Sequence, residues 1–255
     1  MTTLLKLSEY LERYLHHAEI EDYPNAFNGL QLQSQNPAEK KIRGIACAVD
    51  ASEFVLDAAL EKQADLLIVH HGFLWGGAQK ITGPFYRKLA KAIAADLAIY
   101  SSHLPLDMHP EVGNNAVLAT QLGMSPRQPL TDKKDHPLGL VADMHIPRSE
   151  LKKRIETATK HPAHLAPGGE EICHRVALIT GGAGREVHNI ARQGIDTFIT
   201  GEGTHDTYST AEELGVNLFY AGHYATETFG VKALCKHLDE KFQIPWSFID
   251  HPSGL

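Results

Sequence analysis

The chain is poor in cysteine and has no long apolar run. Only three cysteines occur in 255 residues, and no two of them form a CxxC pair. This pattern argues against a thiolate zinc site and against a disulfide framework. No apolar stretch approaches the roughly 18 residues of a membrane span. The N-terminal segment carries charges and has no small-residue cleavage site, so it does not resemble a secretory signal. We therefore expect a cytoplasmic protein without a membrane partner.

Basic clusters and several catalytic motifs are also missing. The formal net charge is −7, and no Lys/Arg block is present to attract a phosphate backbone, so a nucleic-acid partner is disfavoured. No P-loop GK[ST], GxSxG or HExxH motif occurs. The turn GGAG at 181–184 could cradle a phosphate with its backbone amides, but a tight strand-to-helix turn explains it equally well.

Two histidine–carboxylate pairs with the same spacing are the strongest functional signal. His103 precedes Asp107 by four residues, and His223 precedes Glu227 by four. Each pair follows an apolar run that predicts a strand, and a third run, DLLIVHH, ends at His70 and His71. Imidazoles and carboxylates are the ligands of borderline divalent metals. The pattern predicts a metal centre built from distant segments.

Strand ends explain how such distant residues could meet. In parallel α/β sheets the functional loops lie at the carboxyl ends of the strands. Adjacent histidines on a regular strand point to opposite faces, so we expect the chain to turn at His71, where Gly72 permits it. Two neighbouring rings fit best if each binds a different ion. His223 and Glu227 would lie on one face of a helix, whereas Pro105 predicts an ordered loop for 103–107.

These considerations predict two divalent ions and a set of protein ligands. Glu227 is the first choice for a bridging carboxylate, and His103 is a ligand, a supporting group or a proton shuttle, with the shuttle preferred. The remaining histidines are interpreted as surface or core residues, except His109, which is close enough to be undecided. The candidate ligands are His70, His71, Asp107, His223 and Glu227.

An internal repeat predicts the fold class. Residues 45–71 and 176–202 both read as strand, turn, amphipathic helix and strand at an offset of 131 residues, which aligns Asp65 with Asp196 and His71 with Glu202. The histidine–carboxylate pairs repeat at an offset of 120. Alternating strands and helices favour a largely parallel sheet in each half. We predict an α/β protein of two related lobes.

The segment between the repeats is less regular. Residues 125–137 are polar and typical of a linker, 138–145 alternate like a strand, 147–160 predict a surface helix, and 161–171 predict a loop. The tail 242–252 predicts a strand that returns to the first half. The predicted lobes are 1–127 with 223–255, and 128–222.

Several segments resemble the signature segments of the Nif-three-like family, also called GTP cyclohydrolase I type 2 homologues. They are FNGLQL, IVHHGFLW, SSHLPLDMHPEVGNNAVLATQLG, TFITGE and AGHYATETFGVKAL. The resemblance covers nearly the whole chain and fits the short bacterial form. It implies a dinuclear centre between two α/β lobes, with His70, His71, Asp107, His223 and Glu227 as ligands. It also implies a toroidal homohexamer, a trimer of dimers. Tyr224 departs from the pattern, since relatives often carry a second histidine there.

Two functions follow as expectations. The first is a metal-dependent hydrolase acting on a nucleotide or similar small molecule, with GTP cyclohydrolase activity as the one attached to the family. The second is a non-catalytic metal-binding protein, such as a metal chaperone or a regulatory interaction protein. Imidazole and carboxylate ligands suit Zn, Fe, Mn and Ni alike, so the sequence does not select the metal.

Overall fold

A computed structural model describes residues 2–130 and 138–255. The chain divides into two compact units: unit 1 comprises Met1–Leu106 and Gly230–His251, and unit 2 comprises Asp107–Phe229 and Pro252–Leu255. The predicted lobe limits stay a prediction. Residues 131–137, with His136 and most of the predicted linker, lie outside the described residues. Within the described part of the chain, no helix is both long and apolar enough to span a membrane.

Unit 1 contains a five-stranded sheet with helices along the chain between its strands. The strands run in the order β1-β4-β3-β2-β11. Its elements are α1 (Leu4–Tyr14), β1 (Gly29–Leu32), β2 (Ile45–Asp50), α2 (Glu53–Glu61), β3 (Leu66–His71), α3 (Gly83–Ala94), β4 (Ala98–Ser101) and β11 (Trp246–Phe248). The short helix α4 (Leu104–Asp107) begins in this unit and ends in unit 2.

Unit 2 contains a six-stranded sheet in the order β5-β6-β8-β9-β10-β7. Helix α9 begins in this unit and continues into the part of the chain that belongs to unit 1. The elements are α5 (Asn114–Leu122), β5 (Arg127–Leu130), β6 (Gly139–Pro147), α6 (Arg148–Thr159), β7 (His164–Pro167), β8 (Ile172–Ile179), α7 (Val187–Arg192), β9 (Thr197–Thr200), α8 (Asp206–Leu214), β10 (Asn217–Tyr220) and α9 (His223–Phe242).

The sheet of unit 1 is largely parallel, as predicted. Strands β11, β2, β3 and β4 pair in parallel, and only β1 joins antiparallel to β4. Strand β2 is apolar and buried from Ile45 to Val49, which is expected where both faces of a parallel sheet are covered. The predicted return of the tail is confirmed, because β11 pairs with β2.

The prediction of a largely parallel sheet is wrong for unit 2, whose sheet is mixed. Only β8, β9 and β10 are parallel, while β5, β6 and β7 join antiparallel. Residues 161–171 were expected to form a loop, yet four of them form β7. Short strands with proline and a polar edge carry little periodic signal, because edge strands gain their order from the neighbour they pair with.

The internal repeat is confirmed by backbone register. Ile45 pairs with Leu66 in unit 1, and Val176 pairs with Thr197 in unit 2, which is the same register at an offset of 131 residues. For the next strands, β4 and β10, the offset is 119 residues. Ser101 of β4 pairs with Val69, and Tyr220 of β10 pairs with Thr200, the residue equivalent to Val69. The histidine that follows is therefore one residue further from its strand in unit 2 than in unit 1. The glycine at 222, with φ of +91°, lies in this longer connection.

Local sequence explains the ends of the elements that support the site. The Ser52 hydroxyl caps α2 by accepting the Val55 N–H at 3.2 Å. Residues 103–107 do not form the expected loop: Leu104–Asp107 is a short helix. Proline at 105 is compatible with this because the first turn of a helix needs no donor at that position.

Candidate metal centre

Three histidines of unit 1 form an imidazole cluster: His70, His71 and His103. Their ligand nitrogens lie within 4.8 Å of one another. The ring centroid of His70 lies 4.7 Å from that of His71 and 4.9 Å from that of His103. His71 is the last residue of β3, and pairing with β4 already stops at Val69. The two adjacent rings reach one cluster because the strand ends there.

Each ring of the imidazole cluster has its Nδ1 atom hydrogen-bonded to a protein oxygen. His70 Nδ1 lies 3.0 Å from the Ser102 carbonyl oxygen, and His71 Nδ1 lies 2.8 Å from Asp50 Oδ1. His103 Nδ1 lies 2.8 Å from Asp22 Oδ1. A carbonyl or a carboxylate only accepts hydrogen bonds, so each Nδ1 carries the proton. In the neutral rings, Nε2 therefore presents its lone pair, which is the form that binds metals.

Asp22 is the centre of a small buried network behind His103. Its Oδ2 atom accepts from Asn28 Nδ2 and from the Leu104 N–H, and the Asn28 Oδ1 atom accepts the His103 N–H. Burial raises the pKa of the Asp22 carboxyl, but the His103 bond and charge, with the bonds from Asn28 and the Tyr23 N–H, hold it below its ordinary value. The network fixes the ring of His103 in position.

His17 lies against the same strand end. Its Nε2 atom is 3.0 Å from Ser102 Oγ. Burial lowers the pKa of His17 to about 4, although the charge of Asp22 opposes the shift. His17 is therefore neutral at physiological pH and adds no positive charge beside the imidazole cluster.

Unit 2 carries a carboxylate cluster: Glu202, His223 and Glu227. His223 Nε2 lies 3.0 Å from Glu227 Oε1, and His223 Nδ1 lies 3.1 Å from Glu202 Oε1. The predicted common helix face is confirmed, since α9 begins at His223. Burial lowers the pKa of His223, but the two carboxylates outweigh it and raise the pKa to about 9. A cation bound by Nε2 would take the place of its proton.

The GGAG turn packs against the carboxylate cluster. A Cβ atom at Gly181, whose φ is +72°, would lie 2.4 Å from Glu227 Oε1, and one at Gly182 would lie 3.3 Å from His223 Cε1. The amides of Gly181, Ala183 and Gly184 donate to Thr226 Oγ1, Thr200 Oγ1 and the Glu202 carbonyl. Those amides are used within the protein, so the turn serves close packing better than phosphate binding.

Asp107 is also in unit 2, at the end of α4. Its Oδ1 atom accepts from Asn114 Nδ2 at 2.7 Å and from the Thr180 hydroxyl at 3.4 Å. The carboxylate is buried and anchored next to the GGAG turn, since Thr180 precedes Gly181. The undecided His109 has a structural contact: its Nδ1 atom accepts the N–H groups of Glu111 and Val112.

The two units thus hold different members of the predicted set. His70 and His71 lie with His103 in the imidazole cluster, while His223 and Glu227 lie together in the carboxylate cluster. Asp22, Asp50 and Glu202 were not predicted as site residues. The repeat could have indicated Glu202, because it aligns with His71, and Asp50 ends a strand beside β3. Asp22 lies in a loop without any pattern that could have found it.

The donors fit divalent cations of borderline hardness. The two clusters and Asp107 offer only imidazole nitrogens and carboxylate oxygens, which suit Zn, Fe, Mn and Ni. The histidines of both clusters direct Nδ1 to a protein oxygen, an arrangement typical of metal-binding histidines. The chemistry of the donors therefore supports the predicted metal site.

Comparison with known proteins gives a consistent result. The model of the Duf34/NIF3 (NGG1p interacting factor 3) family matches residues 2–253. A Deinococcus radiodurans protein named GTP cyclohydrolase 1 type 2 homolog is 41% identical over 253 residues, covering 98% of this chain and 94% of the relative. A Halobacterium salinarum protein of the same name is 38% identical over 257 residues, covering 98% and 100%.

Solved structures share the fold. The protein ybgI, described as of unknown function, is 36% identical with a TM-score of 0.90 and full coverage of both chains. TTHA1606 from Thermus thermophilus is 35% identical with a TM-score of 0.86, again over 100% of both chains. Reduced HcgD from Methanocaldococcus jannaschii is 26% identical with a TM-score of 0.86 over 98% of each chain.

Proposed function

This chain belongs to the Duf34/NIF3 family, and on that premise we propose that it is a dinuclear metal-dependent hydrolase acting on a nucleotide-like small molecule. One observation carries the proposal: in both clusters a protein oxygen holds the Nδ1 atom of each histidine, which is how metal-binding histidines are oriented. A GTP cyclohydrolase type of reaction is the candidate because relatives bear that name. The proposed ligands of the two divalent ions are His70, His71, Asp107, His223 and Glu227.

The chain's own groups have distinct roles in this proposal. When bound, the ions would act as Lewis acids and would lower the pKa of water to a value near neutrality. His103 is assigned to proton transfer through Nε2, because Asp22 holds its Nδ1 proton and would stabilise the ring when it is charged. Asp50 and Glu202 orient His71 and His223 in the same way.

The assembly and location belong to the proposal as well. We expect a cytoplasmic homohexamer, a trimer of dimers in the form of a toroid, as the family resemblance implies. Light scattering coupled to size-exclusion chromatography measures the mass directly. A mass of six chains of 28.1 kDa is expected, and a stable monomer would contradict this part of the proposal.

Metal content and turnover test the function together. We expect the purified full chain to bind close to two ions per chain and, when loaded with Zn, Mn, Fe or Ni, to turn over GTP or another nucleotide of a panel. Glu227→Gln removes a charged ligand and should reduce both metal content and turnover. Glu240→Gln, an exposed change on the same helix, is the control and should alter neither.

The outcomes separate the parts of the proposal. Turnover that is unchanged in Glu227→Gln would show that the carboxylate cluster does not carry the reaction. Absence of stoichiometric metal after reconstitution would contradict the metal centre itself.

A non-catalytic metal-binding protein is the second candidate. Asp50 and Glu202 hold their histidines while their side chains are 47% and 45% exposed, so solvent reaches groups that support the ligands, which favours metal exchange. Rapid transfer of metal to an apo acceptor, without turnover of any nucleotide, would support this function. Kinetically inert ions would argue against it.

A further inference from the structure

A pair of histidines on the sheet of unit 2 belongs to neither cluster. His145 of β6 and His174 of β8 are both exposed, and their Nδ1 atoms lie 3.4 Å apart. The two ring centroids are 5.1 Å apart, with an angle of 51° between the ring planes. The proposed function uses neither residue, so the close approach of these rings needs a separate explanation.

A β-bulge places the two rings on the same face of the sheet. Before the bulge Asp143 pairs with Arg175, and after it Ile146 pairs with Cys173. Two residues of β6 therefore oppose the single residue His174 of β8, which is the arrangement that defines a bulge. Bulges turn side chains in a new direction and are over-represented beside functional sites.

The bulge changes the face on which His145 lies. With regular pairing His145 would oppose Cys173, and opposite residues of an antiparallel pair lie on the same face. Cys173 is buried in the core of unit 2, so the imidazole would also point into that core. The extra residue gives this core position to Ile146 instead and moves His145 to the exposed face, next to His174.

The strand that carries His174 is held from its other side, where it faces β9. The Asp196 carboxylate accepts the His174 backbone N–H at 3.1 Å and the Arg175 backbone N–H at 2.7 Å. Asp196 is itself held by the hydroxyl of Thr197, the first residue of β9, at 2.7 Å. His174 is therefore presented from a fixed strand rather than from a loop, which suits a ligand that must keep its position.

The separation of the two nitrogens matches that of ligands that share one ion. Hydrogen bonds from N–H groups are commonly about 2.9–3.0 Å long, whereas two imidazole nitrogens at about 2.0–2.1 Å from a tetrahedral zinc ion lie about 3.3–3.4 Å apart. The distance from His145 Nδ1 to His174 Nδ1 is 3.4 Å. Within residues 2–130 and 138–255, no third histidine, cysteine or carboxylate joins these two atoms, so water would take the other positions.

We propose that His145 and His174 bind one zinc ion, or another divalent cation that prefers imidazole, in addition to the two ions of the proposed centre. Imidazole favours Zn, Cu and Ni over Mg and Ca. Two protein ligands on an exposed face leave the ion open to solvent, so it exchanges more readily than an ion with a full set of protein ligands. The inference goes beyond the proposed function and does not depend on it.

Equilibrium dialysis of the metal-depleted full chain against zinc, followed by elemental analysis, tests the site. The natural chain should bind one zinc ion more per chain than His145→Ala or His174→Ala. Each single variant lacks the second, prepositioned ligand and should weaken binding at this site by about 100-fold, and the double variant should lose no more than either single one. An excess of Mg²⁺ should not displace this ion. His188→Ala, an exposed change on α7, is the control and should bind as the natural chain does.

The outcomes separate this site from the proposed metal centre. Glu227→Gln should keep the ion at His145 and His174, and crystals soaked in zinc should give an anomalous peak between the two Nδ1 atoms. Equal zinc content in the natural chain and both single variants, or losses that simply add in the double variant, would overturn the proposal. Zinc that is lost in Glu227→Gln alone would leave the metal centre standing and contradict this site.

Discussion

The two repeats keep one backbone and carry different chemistry. Their strands pair in the same register at an offset of 131 residues. At the strand ends, however, Asp50 in unit 1 stands where unit 2 has Gly181, and His71 stands where unit 2 has Glu202. Unit 1 presents three imidazoles, two of them supported by carboxylates, and unit 2 presents two carboxylates around one imidazole. The apolar strand interiors fix the fold, and the ends are free to diverge because they do not enter the core.

The largest expected effect concerns Gly181, which stands in unit 2 where unit 1 has Asp50. Gly181→Ala places a Cβ 2.4 Å from Glu227 Oε1 at a φ of +72°, and we expect a loss of about 3 kcal/mol in the free energy of unfolding together with reduced metal content. Urea denaturation and elemental analysis measure the two effects.

Gly194→Ala is the matched control for that change. Gly194 has φ of +67° and nothing within 4 Å of an added Cβ, so the control should cost only about 1 kcal/mol from the backbone alone. Equal losses for the two variants would mean that contact with Glu227 contributes nothing.

The second comparison concerns the carboxylates behind the histidines. Asp50→Ala in unit 1 and Glu202→Ala in unit 2 each remove the acceptor of an Nδ1 proton. We expect metal affinity to fall by about 10- to 100-fold in each case, measured by competition with a chelating indicator. Glu213→Ala, an exposed change on α8, should leave affinity unaltered. A loss in only one unit would show that the two clusters do not contribute in the same way.

A third comparison concerns the aligned aspartates Asp65 and Asp196. Both accept backbone N–H groups, Asp65 from Arg43 just before β2 and Asp196 from His174 and Arg175 within β8. Asp65 is also 4% exposed and pairs with Lys40 and Arg43. We expect Asp65→Asn to cost about 2 kcal/mol and Asp196→Asn about 1 kcal/mol at neutral pH.

The pH dependence of the free energy of unfolding distinguishes the ion pairs of Asp65 from its hydrogen bonds. Burial raises the pKa of Asp65, but Arg43 and Lys40 outweigh it and lower the pKa below its ordinary value. A lowered pKa gives stability that is fully present above the unfolded value, about 3.9, and is lost as the pH falls through the folded value. The difference between the natural chain and Asp65→Asn should therefore shrink below about pH 4 in urea titrations. A constant difference down to about pH 2 would contradict the ion-pair explanation.

The smallest expected effect concerns the helix ends of the repeats. Gln63 follows α2 with φ of +54°, and the aligned Gly194 follows α7 with φ of +67°. A left-handed residue after a helix favours glycine, so Gln63→Gly should raise and Gly194→Gln should lower the free energy of unfolding, each by about 0.5 to 1 kcal/mol. Changes of the same sign in both variants would show that the two helix ends are not equivalent.

Sequence reasoning worked best where a pattern is local and periodic. The repeat at 45–71 and 176–202 was found because buried parallel strands and amphipathic helices have distinct periods. The helix that begins at His223 was predicted for the same reason. The antiparallel strands β5, β6 and β7 around unit 2's parallel core were not foreseen as such, because pairing direction depends on neighbours that are distant in sequence.

The candidate site shows the same division. His70, His71, His223 and Glu227 stood out through spacing and position after strands. Asp22 could not, because it reaches His103 across 81 residues of sequence and no repeat or motif marks it. The offset of 120 between the histidines also differs from the 119 of the strands by a single residue, which only the backbone register reveals.

By itself, the sequence determined the family, the repeated α/β units and the kinds of side chain available to a metal, because apolar periodicity and residue chemistry are written along the chain. Tertiary structure alone decided which oxygen holds each Nδ1 and why glycine must stand at 181. Those features depend on distances of a few ångströms between remote segments, and packing rather than spacing sets such distances.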